Sequence, residues 1–420
     1  YYILPYRLRW ILLLISSYIF YMAWKPIYIL LIILCCFVNY IGALIVHKSN
    51  SRKVRKISLI LSLSISFGVL IFYKYLPFIN DTLITLANYL NFNYPVESFD
   101  VFLPMGISFY TFQTLSYTID VYREEIEPEK NFFKLSLYVT FFPQLVAGPI
   151  ERADRLLPQF EKEVSFDIER TLDGIKIALL GYFKKVVVAD RLAIAVDTVY
   201  NSPQDFSGIY FVIATVLFAF QIYCDFSGYS DISIGTAKIL GIDLMQNFKR
   251  PYFSKGIKEF WRRWHISLST WFKDYLYIPL GGNRVSRARY YFNTMLVFLV
   301  SGLWHGANWT FVIWGGLHGI YQIIGTTTYK YRKKIKSVLR LEGSFLWKVI
   351  QVLFTFILVC FAWIFFRANS ISDAVYIVKN LFVDIGRWRE IEYLYAASNN
   401  MGLSFFEFLL GLASIVFLIF

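Results

Sequence analysis

The sequence predicts an all-α, polytopic integral membrane protein with about ten or more transmembrane helices, plus re-entrant and interfacial helices. Of its 420 residues, 57% are hydrophobic and 20% aromatic, and the mean hydropathy is +0.50, which exceeds the composition of an ordinary soluble domain. The apolar residues gather into blocks whose lengths approach or reach the thickness of a bilayer: 10–23, 27–46, 57–73, 101–119, 175–199, 209–223, 290–304, 310–324, 349–366 and 403–420.

We interpret residues 1–420 as one membrane domain with three regions. Residues 1–100 carry few polar groups inside their apolar blocks and are predicted to be scaffold helices, whereas residues 101–324 embed Gly, Trp, Asp and His in apolar surroundings and form the predicted catalytic core. Residues 346–420 return to plain C-terminal helices. Because the chain starts without Met and ends inside an apolar run, we expect both termini to be truncated.

The formal charge of +13 is concentrated in short loops between the apolar blocks. Residues 77–100 and 201–208 contain no Lys or Arg, as expected of loops on the opposite side from the basic ones. This alternation indicates that the charge sets the membrane topology, and it argues against nucleic acid as a partner. The four cysteines lie in apolar blocks or, for Cys224, directly after one, and they suggest neither a disulfide framework nor a metal site.

Two histidines stand inside some of the most apolar parts of the chain. His305 lies in Ser301–Trp309, and His318 lies in Trp314–Gly319. Ionisable side chains at bilayer depth are costly and usually face a protein cavity or a water path, so they are functional candidates. A third histidine, His265, falls within the same part of the sequence.

Three further motifs admit both structural and functional interpretations. Leu103–Gln113 fits helix packing through small residues as well as it fits a cavity wall. Phe141–Arg152 is too short and too broken by Pro and Gly to span, which favours a re-entrant or interfacial turn. Tyr223–Asp231 places two carboxylates around a Ser-Gly break, for which a helix cap at Asp225 or Ser227 is the favoured structural interpretation.

The segment Phe260–Tyr275 is the most unusual of the chain. Four large apolar side chains recur at helical spacing: Trp264, Leu268, Trp271 and Tyr275. The cationic residues Arg262, Arg263 and Lys273 accompany them. This pattern predicts a helix in the cytoplasmic interface. An interfacial anchor does not require His265. The following Pro279–Arg284 is a predicted turn that could bring Arg284 to a phosphate.

Together these motifs closely resemble the membrane-bound O-acyltransferases, and in particular their bacterial branch of alginate O-acetylation and teichoic-acid D-alanyl transfer proteins. The resemblance covers about residues 103–366 and rests on several motifs in the same order: Asp225–Asp231, Phe260–Ser269, Ile278–Arg284, Gly302–Trp309 and Trp314–Gly319. It implies that His305 is the catalytic residue and that His265 is the second polar position of the site.

The resemblance also implies an acyl-CoA donor, most simply acetyl-CoA, with no bound cofactor or metal, in a multi-pass protein of the bacterial cytoplasmic membrane. We expect His305 to deprotonate the acceptor hydroxyl, because imidazole titrates near working pH. Further residues are predicted to bind the donor or to shape the pocket: Trp304, Asn308, Trp309, Trp261, Arg262, Arg263, Arg284, Asp225, Ser227 and His318.

The acceptor implied is a hydroxyl of an exported or cell-surface polysaccharide, reached directly or through a secreted acetyltransferase partner protein. Neither the acceptor, nor direct transfer rather than an acyl-enzyme, nor the oligomeric state follows from the sequence. A polytopic transporter or lipid-linked sugar handler would also show intramembrane His and Asp. Inverted internal similarity would favour that alternative, and none is evident. A purely structural scaffold leaves the histidines unexplained.

Overall fold

The computed structural model describes residues 1–338, 341 and 343–419, and the regular structure of that part is helical without strands. It contains the following α-helices: α1 (Tyr6–Met22), α2 (Ile29–Lys48), α3 (Arg52–Leu70), α4 (Leu76–Tyr89), α5 (Ile107–Tyr122), α6 (Phe132–Thr140), α7 (Ala153–Leu156), α8 (Ile168–Tyr182), α9 (Asp190–Asn201), α10 (Ile209–Ile239), α11 (Ile257–Arg263), α12 (Ile266–Phe272), α13 (Arg287–His305), α14 (Trp309–Thr327), α15 (Tyr329–Val338), α16 (Phe345–Arg367), α17 (Ile371–Asn380), α18 (Ile391–Asn400) and α19 (Phe405–Ile419).

Short helical turns of other types extend or connect these helices. π-Helical turns occur at Ile71–Tyr75, Phe183–Ala189 and Lys273–Tyr277, and 3-10 turns at Pro26–Tyr28, Leu157–Phe160, Pro203–Asp205, Pro251–Phe253 and Ile385–Arg389. The first two π turns join α3 to α4 and α8 to α9 without a break, so that residues 52–89 and 168–201 each form one helical rod.

The ten predicted apolar blocks all overlap helices, which confirms the all-α class. Helices long and apolar enough to cross a membrane are fewer within the described residues: Pro26–Lys48, Arg52–Tyr89, Ile209–Ile239 and Phe345–Arg367. The expected count of about ten spanning helices is therefore not confirmed. Residue 420, the end of the last predicted block, lies outside the described residues.

The chain forms two compact units. The first comprises Tyr1–Ala178 with Ser230–Met245, and the second comprises Leu179–Tyr229 with Gln246–Phe420. The core of the first unit includes buried residues of α2, α5 and α6, and the core of the second includes residues of α9, α10 and α16. The three histidines of interest all belong to the second unit.

Helices α13 and α14 form an antiparallel hairpin in the second unit and approach each other closely through glycines. A Cβ atom on Gly302 would lie 2.2 Å from the carbonyl oxygen of Phe311, and one on Gly315 would lie 2.2 Å from that of Phe298. Both distances are far inside van der Waals contact, so any larger residue at either position would separate the two backbones. The glycines beside the histidines thus bring these helices together.

Helix α10 corrects the prediction made for Tyr223–Asp231. The expected helix break is absent, and Asp225 and Ser227 lie inside a continuous helix rather than at a cap. The Ser-Gly pair reflects packing: a Cβ atom on Gly228 would come within 2.8 Å of the carbonyl oxygen of Gly181. Gly228 therefore permits two helix backbones to touch, and the stability of that contact outweighs the low helix propensity of glycine.

Candidate active site

His305 is the last residue of α13, and a tight turn follows it. Gly306 is extended, with φ −159°, and a Cβ atom there would lie 2.1 Å from the ring of Phe311. Asn308 then caps α14, because its side chain accepts a hydrogen bond from the backbone N–H of Thr310 at 2.9 Å. The turn fixes the direction in which the chain leaves His305.

His265 lies at a break between two short helices, and this corrects the prediction of one interfacial helix through Phe260–Tyr275. Helix α11 ends at Arg263 and α12 begins at Ile266. His265 has φ +43° and ψ +57°, a left-handed conformation that is uncommon for a residue with a side chain and is found disproportionately at functional sites. Trp264, with 2% of its surface exposed, belongs to the core of the second unit.

The side chain of Asn247 holds this break in place. The backbone carbonyl oxygen of Asn247 also accepts a hydrogen bond from the backbone N–H of Ile266 at 2.9 Å. The Asn247 Oδ1 atom accepts the backbone N–H of Ser267 at 3.2 Å and the Ser267 hydroxyl at 3.0 Å. Asn247 is fully buried. It therefore anchors the chain just after His265, although no sequence motif marks Asn247 as a site residue.

The structure brings His265 and His305 together, with 6.2 Å between their ring centroids. Trp304 lies beside both, 5.8 Å from His265 and 5.0 Å from His305, and the edge of Phe226 meets the His265 ring at 4.6 Å. Burial, with a smaller contribution from His305, holds the pKa of His265 well below its usual value. His265 is thus neutral near pH 7.

His318 lies in α14, is fully buried and forms a hydrogen bond with Trp261. The indole N–H of Trp261 donates to Nδ1 of His318 at 3.2 Å. The rings of Phe260 and Phe298 lie nearly parallel to the imidazole, at 6.1 Å and 6.2 Å. Trp261 and His318, both predicted site residues, are therefore in direct contact.

Large aromatic rings surround His305. Trp314 contacts it edge-on at 5.0 Å, and Phe366 lies at 5.5 Å. Trp314 itself is fully buried and lies 5.1 Å from His318. These aromatic rings give apolar surroundings to an imidazole that can accept and return a proton, which is the property that general base catalysis requires.

The remaining predicted site residues have varied surroundings. Arg262 and Arg284 are exposed, whereas Arg263 forms an ion pair with Glu259 at 2.5 Å. Asp225 pairs with Lys185 at 2.6 Å, and the hydroxyl of Ser227 is buried. Trp309 is 47% exposed at the start of α14. The ion pairs give Arg263 and Asp225 structural roles, and their roles in donor binding stay predictions.

Comparison with known proteins places the site within a matched region. Residues 125–367 match the model of the membrane-bound O-acyltransferase family, and this range includes His265, His305 and His318. A probable alginate O-acetylase of Pseudomonas aeruginosa is 37% identical over 390 residues, which cover 93% of this chain and 72% of that protein.

Two other relatives carry different activities in their names. A peptidoglycan O-acetyltransferase of Helicobacter pylori is 36% identical over 397 residues, covering 88% of this chain and 73% of that protein. A teichoic acid D-alanyltransferase of Bacillus subtilis is 28% identical over 283 residues, covering 63% of this chain and 69% of that protein. All three names describe the transfer of an acyl group to a named polymer: alginate, peptidoglycan or teichoic acid.

Proposed function

This chain belongs to the membrane-bound O-acyltransferase family, and we propose that it carries an acetyl group from cytoplasmic acetyl-CoA across the bacterial cytoplasmic membrane to a polysaccharide hydroxyl. Membership of this family, together with the similarity of the chain to O-acetylating relatives, makes this protein a membrane-bound O-acyltransferase that acts on polysaccharide. The observation that carries the finer proposal is the pairing of the fully buried His265 with the half-buried His305, whose ring centroids are 6.2 Å apart.

The proposed reaction begins when His305 removes the proton of the acceptor hydroxyl. The hydroxyl oxygen forms a bond to the thioester carbonyl carbon, and the carbonyl π electrons move to the carbonyl oxygen. When the C=O bond re-forms, the C–S bond breaks, and the proton on His305 passes to the leaving thiolate. The products are an O-acetyl ester and free coenzyme A. The donor supplies the acyl group and His305 moves the proton.

The proposed role of His265 is to orient the donor. Its pKa is held well below the usual value, so it is neutral, and its left-handed backbone is fixed by Asn247. A neutral imidazole can donate one hydrogen bond and accept another without competing for the transferred proton. That property suits a residue that positions the thioester beside His305.

Two features support a short acyl chain and a coenzyme A carrier. The rings of Trp304, Trp314 and Phe366 lie 5.0–5.5 Å from the His305 ring, and such crowding favours an acetyl group over a long chain. The exposed guanidinium groups of Arg262 and Arg284 are free to meet the phosphates of the coenzyme, for which Arg provides a bidentate fork.

Transfer across the membrane is supported by the position of His305 in α13. The helix begins at the basic residues Arg287 and Arg289, which the positive-inside rule assigns to the cytoplasm, and His305 is its last residue. At 1.5 Å per residue, His305 lies about 27 Å along the helix from Arg287. The thioester end of the donor would then reach His305 from the cytoplasmic side, and the acceptor hydroxyl would reach it from the opposite side.

The acceptor is a polysaccharide hydroxyl, reached directly or through a secreted partner protein that passes the acetyl group on. The two routes differ in what purified protein can do alone. Direct transfer requires only acetyl-CoA and an oligosaccharide, whereas a relay requires the partner as well. Adding candidate oligosaccharides with and without the secreted partner to proteoliposomes separates the two routes.

The test of the function is acetyl-CoA turnover by purified protein in proteoliposomes that are supplied with an oligosaccharide acceptor, with and without a candidate secreted partner. We expect His305→Ala to lower the rate about 1000-fold, since a general base contributes about 10²- to 10⁴-fold. His47→Ala is the matched control, because His47 is exposed at the end of α2, and we expect it to act as wild type. Turnover by His305→Ala at the wild-type rate would contradict the proposal. Movement of a lipid-linked sugar without thioester turnover would favour the transporter alternative.

A further inference from the structure

One face of α14 carries three buried polar side chains in register. Thr310, Trp314 and His318 recur every four residues, and none has more than 1% of its surface exposed. Within the part of the chain that the structure describes, Thr310 Oγ1, Trp314 Nε1 and His318 Nε2 have no hydrogen-bond partner. Buried donors are rarely left without an acceptor, because such a donor loses its hydrogen bond to water and gains none in return. This stripe therefore indicates a ligand.

The hydrogen bond from Trp261 decides what His318 offers to that ligand. Because Nδ1 of His318 accepts the Trp261 indole N–H at 3.2 Å, the proton of the neutral imidazole must be on Nε2. Trp314 Nε1 is a donor in every protonation state. The stripe thus presents two obligatory N–H donors, and the ligand group that satisfies them must be a hydrogen-bond acceptor.

These donors are next to the residue proposed to perform the chemistry. The ring of Trp314 contacts both His305, at 5.0 Å, and His318, at 5.1 Å. The acceptor group that develops beside His305 during acyl transfer is the carbonyl oxygen of the thioester, which gains negative charge as the hydroxyl adds. Fixed donors in an apolar site stabilise such charge more strongly than water does.

We propose that Trp314 Nε1–H and His318 Nε2–H form the oxyanion-binding site of the acyl transfer, with Trp261 as the positioning residue that sets the tautomer of His318. The inference rests on the proposed function. The donors bind the oxygen that receives the carbonyl π electrons when the acceptor hydroxyl adds, and they release it when the C=O bond re-forms and the C–S bond breaks. His305 handles the proton throughout.

A neighbouring tryptophan shows how a purely structural indole behaves in this core. Trp363 stacks on Trp314 at 5.7 Å with 12° between the planes and is 1% exposed. Its Nε1 donates to the hydroxyl of Tyr252 at 3.3 Å. Trp314 and Trp363 therefore match in burial and packing and differ in whether the protein satisfies the N–H group, which makes Trp363→Phe the control for Trp314→Phe.

The kinetic test compares these two variants in proteoliposomes with acetyl-CoA and the same oligosaccharide acceptor. We expect Trp314→Phe to lower kcat about 100-fold with KM for acetyl-CoA within about threefold, because one oxyanion donor contributes about 10²- to 10³-fold. Trp363→Phe should keep kcat within about threefold. His318→Gln, which retains an N–H donor, should be at least about tenfold more active than His318→Leu. Equal kcat for Trp314→Phe and Trp363→Phe would overturn the inference.

A spectroscopic test reports on the same bonds without turnover. In His305→Ala protein, bound acetyl-CoA labelled with ¹³C at the carbonyl should show a lowered C=O stretching frequency in infrared difference spectra. Adding Trp314→Phe should move that frequency back toward its value in solution, and adding Trp363→Phe should not. An unchanged frequency in the Trp314→Phe double variant would overturn the proposal even if that variant were unstable in turnover assays.

The positioning role of Trp261 has its own readout. The chain contains four histidines, so ¹⁵N-histidine spectra, assigned by His318→Gln, can resolve the tautomer of His318. We expect Nε2–H in the wild type and a mixture of tautomers in Trp261→Phe, together with a lower kcat. An unchanged tautomer would contradict the positioning role of Trp261.

Active His305→Ala would refute the proposed function, whereas inactive His305→Ala with fully active Trp314→Phe would refute the oxyanion site alone.

Discussion

Two buried polar clusters, one in each unit, satisfy their hydrogen bonds differently. In the first unit, Asn39 Nδ2 donates to Ser66 Oγ at 2.8 Å, and Asn39 Oδ1 accepts from the Thr118 hydroxyl at 2.7 Å, so that α2, α3 and α5 are tied together by side chains. In the second unit, the Trp314 and His318 rings leave N–H donors without an acceptor in the described residues. The side chains of the first cluster satisfy one another, whereas those of the second require a hydrogen-bond acceptor from a ligand.

This contrast separates polar burial that stabilises a fold from polar burial that performs chemistry. A cluster whose hydrogen bonds are all formed stabilises the fold, since hydrogen bonds are stronger in the protein interior than in water. An open cluster is destabilising until a ligand completes it, which is tolerated where function requires it. Variants in the two clusters should therefore differ in kind: loss of stability in the first, and loss of rate in the second.

Asn39→Ala should give the largest effect on stability. Removing the amide breaks both side-chain bonds and a further bond to the Cys35 carbonyl oxygen at 2.8 Å, so we expect the free energy of unfolding to fall by about 3 kcal/mol. The rate per folded molecule should stay within about threefold of wild type. Asn50→Ala, at an exposed position after α2, is the control for denaturation in detergent. A large loss of kcat in folded Asn39→Ala would erase the contrast.

Asn247→Ala should show the opposite behaviour. Loss of the two bonds to Ser267 frees the backbone after His265, and we expect kcat for acetyl-CoA turnover to fall about 100-fold, because misplacement of a catalytic group by about 1 Å has effects of that size. The exposed Asn283 provides the control Asn283→Ala. If folded Asn247→Ala kept the wild-type kcat, the positioning of His265 by this side chain would be ruled out.

Glu151→Gln should reveal a pH-dependent contribution to the stability of the first unit. Glu151 is fully buried and accepts the backbone N–H of Met245, and burial raises the pKa of its carboxyl from 4.5 to about 7. A carboxyl whose pKa is higher in the folded state contributes stability that is complete below about pH 4.5 and is lost as pH rises to about 7.

The stability of wild type relative to Glu151→Gln should therefore fall by about 2 kcal/mol between pH 5.5 and 7 and change little above that range. Thermal unfolding in detergent at several pH values measures this difference. Glu163→Gln, at an exposed position, should run parallel to wild type. A difference between wild type and Glu151→Gln that does not vary with pH would show that the carboxyl stays ionised in the fold.

Asp225→Asn should have the smallest effect. The carboxylate of Asp225 is 38% exposed and pairs with Lys185 at 2.6 Å, and ion pairs of this exposure contribute less than about 1 kcal/mol. We expect little change in thermal stability and no change in KM for acetyl-CoA. A clear rise in KM would support the role in donor binding that the motif of Asp225 suggested.

The sequence predicted the helices better than it predicted their ends. Apolar blocks identify helices because burial and lipid contact dominate there. The break at Trp264–His265 was missed because the spacing of Trp264, Leu268 and Trp271 continues across it. Conversely, Gly228 suggested a break where α10 is continuous, because its reason is contact with Gly181 rather than a turn. Both errors arise where tertiary packing overrides local pattern.

The residues of the candidate site were predictable only in part. His305, His265 and His318 are conspicuous because ionisable residues are rare in apolar blocks. Asn247 and Trp314 gave no such signal. Asn247 acts through a contact with a segment about twenty residues later, and an apolar-looking Trp does not reveal from sequence whether its N–H is satisfied. Spacing from His318 could have found Trp314, since it lies one helical turn earlier.

The central claim is that His305 is the general base of the acyl transfer. The most direct measurement is the amount of labelled acetyl that passes from acetyl-CoA to an oligosaccharide acceptor per folded molecule in proteoliposomes, with and without a candidate secreted partner. Wild type, His305→Ala and Asn39→Ala should be compared at equal folded protein. The account predicts a loss of about 1000-fold for His305→Ala and a change within about threefold for Asn39→Ala. Transfer by His305→Ala at a rate close to wild type would contradict it.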